Sequence, residues 1–281
     1  MCDRPPLQPV DYLVIGHVTQ DLTQDGSRLG GTAAFSALTA RALGLRVGIV
    51  TSANETTLMK TLDGIQIRTI PSEYTTTFEN IYENDRRIQI LHHQAAHLSY
   101  DLIPKVWQST SIFHLGPVAQ ELDSELPSFV SPALLGITPQ GWMRTWDDGY
   151  IVPCKWKNAE QLLSQANAVV ISREDVNNDE ELIESMAHKT RLLVVTEAAA
   201  GAVLYWNGDR RRFRTPEVKE TDATGAGDVF AAAFFIRLHN THDPWEAARF
   251  ATQLSAYSVM RSGLDGIPTQ KEIDRCLMEV I

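Results

Sequence analysis

The 281-residue chain is long enough for one large domain or two small ones, and its 43% hydrophobic and 21% charged residues match an ordinary globular protein. A net charge of −10 argues against a nucleic-acid partner, which calls for a basic surface, but leaves room for a local site that binds a small polyanion. No apolar run reaches spanning length, Met1–Pro9 carries no signal-peptide pattern, and Cys2, Cys154 and Cys276 are scattered without metal spacing; the expectation is a cytoplasmic protein with reduced thiols and no membrane partner.

Tyr12–Ile15 predicts a buried first strand, closed by Gly16. Asp25 and Gly26, between Val18–Gln24 and Ser27–Leu29, give a hairpin signal. Gly30, Gly31 and Thr32 open a helix that runs to about Leu43 and stops at Gly44. Arg46–Thr51 and Gln66–Ile70 read as strands, and Thr75–Tyr82 with Arg86–His92 as a second hairpin over Glu83, Asn84 and Asp85. Beyond His97, the apolar runs Ile112–Leu115, Leu134–Ile137, Ala168–Ile171 and Leu192–Val195 alternate with helical stretches such as Asp179–His188. That rhythm predicts an α/β fold, a mostly parallel sheet with helices on both faces. Ala202–Trp206 and Arg211–Arg214 suit antiparallel edge strands, and helices are expected over Ala226–His239, Pro244–Arg261 and Thr269–Val280. The two early hairpins break the rhythm and predict a small β-sheet covering a site on the main one. No linker divides the chain, so residues 1–281 read as one domain with lid hairpins at about 17–30 and 74–98.

The most informative segment is Thr221–Phe230, TDATGAGDVF. Its glycines lead into an apolar helix, and free N–H groups at a helix start bind anions. Gly225, Ala226 and Gly227 are small enough to let a phosphate approach. A carboxylate repels such a ligand unless it takes a proton from the group attacking the phosphate, which gives Asp228 the role of general base. The bland alternative is a glycine turn with Asp228 as a helix cap. DATGAGDVF resembles the DTxGAGDxF signature of the PfkB/ribokinase carbohydrate kinase family, and the resemblance runs from Tyr12 to about Pro268. It implies a ribokinase-like fold, a central mostly parallel sheet flanked by helices with a small β lid. It also implies ATP-dependent phosphorylation of a hydroxyl on a small sugar or polyol. GxxxxGK[ST] and GxGxxG do not occur in the sequence, so the glycine turn has to serve the phosphates.

Other segments resemble the family in part. Asp21, in GHVTQD after the first strand, stands at the sugar-hydroxyl position, against the alternative of a solvated turn carboxylate. Gly30 and Gly31 match a GGxxxN element, but Phe35 replaces the asparagine, implying a less polar pocket. Ser172 and Asp175 stand for NxxE as SxxD, a nucleotide-side element organising hydrated Mg²⁺ or, more simply, a capped helix start. Thr196 and Gly201 match the nucleotide-side TxGxxG turn, with Ala198 for its first glycine. Thr138–Trp146 resembles DxNxRxxLW, with Thr138 for the acid and Arg144 displaced by two. Arg144 is a candidate phosphate fork or an arginine packed between tryptophans. Asp222, Thr224, Ser258, Arg261 and Gly263 resemble a monovalent-cation loop, with K⁺ as the ion. His92, His93 and His97 lack a clustered acid and read as lid surface. The lid is also a face through which two copies can pair as a homodimer. The departures at Phe35, Ser172 and Ala198 leave open a second reading, a catalytically weak nucleotide- or polyol-binding regulatory protein of the same fold.

Overall fold

The computed structural model describes residues 6–23, 26–57, 59–83, 86–126 and 129–277. Asp25, Asn84 and Asp85, expected at hairpin tips, and Cys2 lie outside the described residues, as does the expected helix end at Val280.

In chain order the elements are β1 (Tyr12–Ile15), β2 (Thr19–Thr23), β3 (Gly26–Gly30), α1 (Gly31–Ala42), β4 (Val47–Ala53), β5 (Gln66–Pro71), β6 (Thr76–Glu83) and β7 (Arg86–His93). There follow β8 (Ile112–Leu115), β9 (Leu134–Ile137), β10 (Arg144–Asp147), β11 (Tyr150–Pro153), α2 (Ala159–Gln165), β12 (Ala168–Ser172), α3 (Glu180–Lys189) and β13 (Leu192–Thr196). The chain closes with β14 (Ala202–Trp206), β15 (Asp209–Phe213), α4 (Ala226–Thr241), α5 (Pro244–Ser258) and α6 (Gln270–Leu277).

Nine strands form the main sheet in the order β15-β14-β13-β12-β9-β8-β1-β4-β5. From β13 to β5 all neighbours are parallel, and β14 and β15 add an antiparallel edge as their sequence predicts. The apolar runs carry no polar alternation because both faces are covered. In β1, Tyr12 and Val14 join the core that includes α1, α4, α5 and α6, while Leu13 and Ile15 join the one that includes α2 and α3. Helix α4 is buried from Val229 to Ile236, and Phe235 lies against Gly136 of β9, where a Cβ would stand 2.6 Å from the ring.

A second sheet of six strands has the order β10-β11-β7-β6-β2-β3. Its β2–β3 and β6–β7 hairpins are the predicted lid. The β10–β11 hairpin is an addition: Tyr150 pairs with Ile90, extending the lid through a segment given no secondary structure from the sequence. Beneath the sheet a small apolar cluster joins Phe78 and Leu91 to Val118 and Ala119, with Trp146 and Ile151 against it. Buried Glu121 pins that junction, its carboxylate accepting from the N–H groups of His17, Val118 and Ala119 at 2.7–3.0 Å. His17 ties the lid roots together, with Nδ1 2.7 Å from Thr76 Oγ1 and Nε2 2.9 Å from Ala96 O.

Candidate active site

A cleft of about 1430 Å³ opens at the carboxyl ends of β9, β12 and β13, between the main sheet and the lid. Single-ligand pockets run to roughly 300–1,000 Å³, so this cleft has room for two small molecules side by side.

Its floor is the start of α4. Gly225 takes φ +79°, a left-handed conformation that turns the chain into the helix. A Cβ there would stand 2.2 Å from the ring of Phe35, which is buried against the turn. Gly227 is different, since a Cβ at that position would meet nothing within 4 Å. Glycine in a helix costs up to about 1 kcal/mol against alanine, less in the first turn than in the interior, and no packing contact here requires it. What Gly227 leaves open is cleft space beside the first-turn N–H groups, which have no intrahelical acceptor.

Asp228 sits in that first turn, lines the cleft and is half-buried there. Its carboxyl is pushed up to about 6, first by burial; the Thr32 hydrogen bond and the Arg144 guanidinium pull it back, and the Asp175 and Asp21 carboxylates raise it again. Its acidity therefore senses both ends of the cleft. Thr32, the second residue of α1, has no family signal in the sequence and is found only by this contact. Ser36 one turn on places Oγ 3.4 Å from the Asp228 backbone oxygen.

At one end the lid supplies Asp21, whose Oδ1 accepts from Thr19 Oγ1 at 3.1 Å. Gly31 lines the cleft, while Gly30 does not. Gly30 instead makes room for the carboxylate, since a Cβ on it would stand 2.3 Å from Asp21 Oδ2. Arg144 reaches the cleft from β10. Of the two tryptophans that flank it in sequence, Trp142 stacks on Trp156, with centroids 5.1 Å apart, and Trp146 packs against the lid cluster. Phe35 lines the cleft and packs against the Gly225 turn, at the position where the family motif has asparagine.

At the other end lie Ser172, Asp175, Thr196 and Gly201. Asp175 accepts from Ser172 N–H at 2.9 Å and from Gln140 Nε2 at 2.8 Å, and Ser172 Oγ accepts from Glu174 N–H at 3.2 Å. The turn is thus self-capped and still faces the cleft. Ala198 has φ +47°, the conformation its family glycine would hold without strain. Gly201, at φ +99°, passes the β15 backbone so closely that a Cβ would stand 1.9 Å from Phe213 O. Arg212 and Arg214 also line this end, unmarked by any sequence motif. Arg212 and Arg173 share Glu197, Arg173 at 2.8 Å.

The predicted cation residues divide. Thr224 lines the cleft, but Asp222, Ser258, Arg261 and Gly263 lie outside its lining. Asp222 accepts from Thr224 N–H at 2.9 Å and from Ser262 Oγ and Gly263 N–H at 3.0 Å, tying the glycine turn to the loop after α5. These bonds outweigh burial and hold its carboxyl below the usual range. Arg261 forks onto Glu272 at 2.7 and 2.9 Å, and Ser258 Oγ bonds Ser255 O at 2.7 Å. The three histidines have separate partners, His92 with Glu79, His93 stacked on Tyr74 and His97 with Asp123. No cluster of metal-binding side chains occurs among the described residues.

The two-sided parallel sheet, the lid and a glycine-opened helix beneath it define a ribokinase-like α/β protein. The chain belongs to the pfkB family of carbohydrate kinases, whose family model matches residues 17–271. Among curated relatives it is 26% identical over 212 residues to a probable chloroplastic fructokinase-6 of Arabidopsis thaliana, a match covering 67% of this chain and 54% of the relative. Among solved structures, a pyrophosphate-dependent kinase of the ribokinase family, complexed with a pyrophosphate analogue and myo-inositol, superposes with a TM-score of 0.77 at 20% identity, covering 95% of this chain and 100% of the other. Arabidopsis thaliana ribokinase complexed with ribose and ATP gives 0.75 at 17% identity, over 97% and 100%. Among the described residues no helix is long and apolar enough to cross a membrane.

Proposed function

We propose that this chain transfers a phosphoryl group from ATP to a hydroxyl of a small sugar or polyol, with Asp228 as the general base. The observation that carries the proposal is Asp228 itself: a carboxyl raised to about 6, in the first turn of a helix whose Gly227 leaves ligand space open. A base of that strength is largely ionised at neutral pH and still takes a proton from an attacking hydroxyl. The N–H groups of Gly225, Ala226 and Gly227 stabilise charge on the transferring group. Asp21, Gly31 and Arg144 position the acceptor, Gly30 acting through Asp21. Ser172, Thr196 and Gly201 line the donor side.

Mg²⁺ fits at Asp175. Each carboxylate oxygen accepts one protein hydrogen and keeps a lone pair for a metal-bound water, which suits an ion that retains its hydration. When bound, it neutralises donor phosphate charge. A monovalent cation near Asp222, Thr224, Ser258, Arg261 and Gly263 belongs to the same reading, and turnover in K⁺ against a large organic cation checks it. The chain acts as one unit, its lid closing over both ligands and open to pairing with a second copy. The free thiols of Cys154 and Cys276 suit a reducing cytoplasm.

The experiment is a coupled screen of ATP and pyrophosphate consumption over pentoses, hexoses, inositols and nucleosides. Turnover of ATP with a sugar or polyol supports the proposal; selective turnover of pyrophosphate changes the donor. The left-handed Ala198 in the donor turn favours a second reading, a catalytically weak nucleotide- or polyol-binding protein. Binding of these ligands without turnover of either donor would establish it.

A further inference from the structure

The lid hairpin that carries Asp21 is joined to the glycine turn by a line of hydrogen bonds. Arg28 on β3 and Asp21 on β2 stand opposite each other in the antiparallel register, so their side chains rise from one face of the hairpin. From that face they diverge. Asp21 runs toward Gly30, where a Cβ would stand 2.3 Å from its Oδ2. Arg28 reaches the loop after α5 instead, its Nη1 donating to Ser262 Oγ at 2.8 Å across 234 positions. Ser262 Oγ is 3.0 Å from Asp222 Oδ2, which also accepts from Gly263 N–H, and Asp222 Oδ1 accepts from Thr224 N–H beside Gly225.

Both ends fix the direction of this line. A guanidinium only donates. The Asp222 carboxyl, held below the usual range by bonds that outweigh its burial, is ionised at neutral pH and only accepts. Ser262 therefore gives its one hydroxyl hydrogen to Asp222 and offers a lone pair to Arg28. Arg28 is exposed, so the entropy of ordering its long side chain offsets most of what the bond contributes, and the contact is easily broken. Its consequence is positional. A movement of the hairpin that seats Asp21 on an acceptor also seats Arg28 on Ser262, and through Asp222 it steadies the turn that opens α4. We propose that Arg28 and Ser262 are positioning residues that couple the two ends of the cleft: an acceptor held at Asp21 tightens the donor at the glycine turn, and the donor tightens the acceptor by the same factor. The coupling rests on the kinase reading; the tie between hairpin and turn does not.

Hydrogen exchange of the ligand-free full chain tests the tie. Arg28→Met keeps the stem and removes the donors, and Ser262→Ala removes the hydroxyl between the two charges. The turn stays tethered to the end of α5 by the N–H groups of Thr221 and Asp222 on Val259 O, so both variants should fold. Each should speed exchange about three- to ten-fold in β3 and in Thr221–Gly227 together, the double variant no further than either single one, and Arg28→Lys should restore slow exchange. A change confined to β3, or none at the turn, overturns the tie. Titrations of a non-hydrolysable ATP analogue, or of methylenediphosphonate as its pyrophosphate counterpart, with and without saturating D-ribose, D-fructose or myo-inositol test the coupling. The acceptor should tighten the donor analogue at least about five-fold in the wild type and less than about two-fold in either variant. A wild-type factor near one, or the same factor in the variants, overturns the coupling. If no acceptor or no donor analogue binds, the kinase reading fails, and the exchange experiment alone decides the tie.

Discussion

The ring of Phe35 fills the space that a side chain on Gly225 would need, its Cδ1 and Cε1 each 2.2 Å from an ideal Cβ. The left-handed turn at the cleft floor is thus held from behind by α1, and helix and turn are set as one piece.

Two alanine substitutions two residues apart should therefore act in opposite ways. Gly225→Ala meets both a left-handed backbone, about 1–2 kcal/mol, and the Phe35 ring, about 1–3 kcal/mol, and should lower stability and turnover together. Gly227→Ala meets no protein atom and should raise helix stability by up to about 1 kcal/mol while lowering kcat, because the methyl group enters phosphate space. Denaturant titration with steady-state kinetics reads both; a fully active Gly227→Ala enzyme would remove the phosphate from that position.

Asp228→Asn should cut kcat by about 10² or more while leaving ATP affinity nearly intact. The wild-type kcat/KM should rise with pH through about 6 and then level, as the base loses its proton. The stability sign follows from the same shift. The folded carboxyl holds its proton to higher pH than the unfolded one, whose ordinary value is 3.8. Its stabilising contribution is therefore present below that value and lost as pH rises through about 6. Wild-type protein should lose stability relative to Asp228→Asn across that interval; parallel pH–stability curves for the two would contradict the assigned environment.

Asp21→Ala should weaken acceptor binding far more than ATP binding, by roughly 1.5–3 kcal/mol for bonds to a charged group. Separate calorimetric titrations distinguish the ligands. Equal losses for both would give Asp21 a folding role through Thr19 and the β2–β3 hairpin.

Ala198→Gly should stabilise the donor turn by roughly 0.5–1 kcal/mol, since relief of the left-handed alanine exceeds the added entropy of glycine. Urea midpoints give the answer, and a lower midpoint would mean that the turn relaxes in solution.

Hydrogen exchange should slow together in β2–β3, β6–β7 and β10–β11 when an acceptor and a non-hydrolysable ATP analogue are added, while β12 changes little. The third hairpin joins the prediction because Tyr150 pairs with Ile90. Identical lid protection with and without ligands would rule out closure.

What the sequence determined by itself is whatever rests on neighbours along the chain. Continuous apolar runs marked β1, β8, β9, β12 and β13, because strands buried on both faces need no polar alternation. The glycine turn and Asp228 were legible for the same reason, since a helix start, a left-handed glycine and an acid in the first turn are all local. What only the tertiary structure decided is which distant residues meet. Ser36 reaches Asp228 across 192 positions, and Asp222 bonds Gly263 across 41. Arg144–Pro153 joined the lid through pairing with β7, although its polar residues carry no strong strand period. Phe35 was visible as a departure from a motif, but its contact with Gly225 was not, because strand order rather than local propensity brings α1 and α4 together over one face of the sheet.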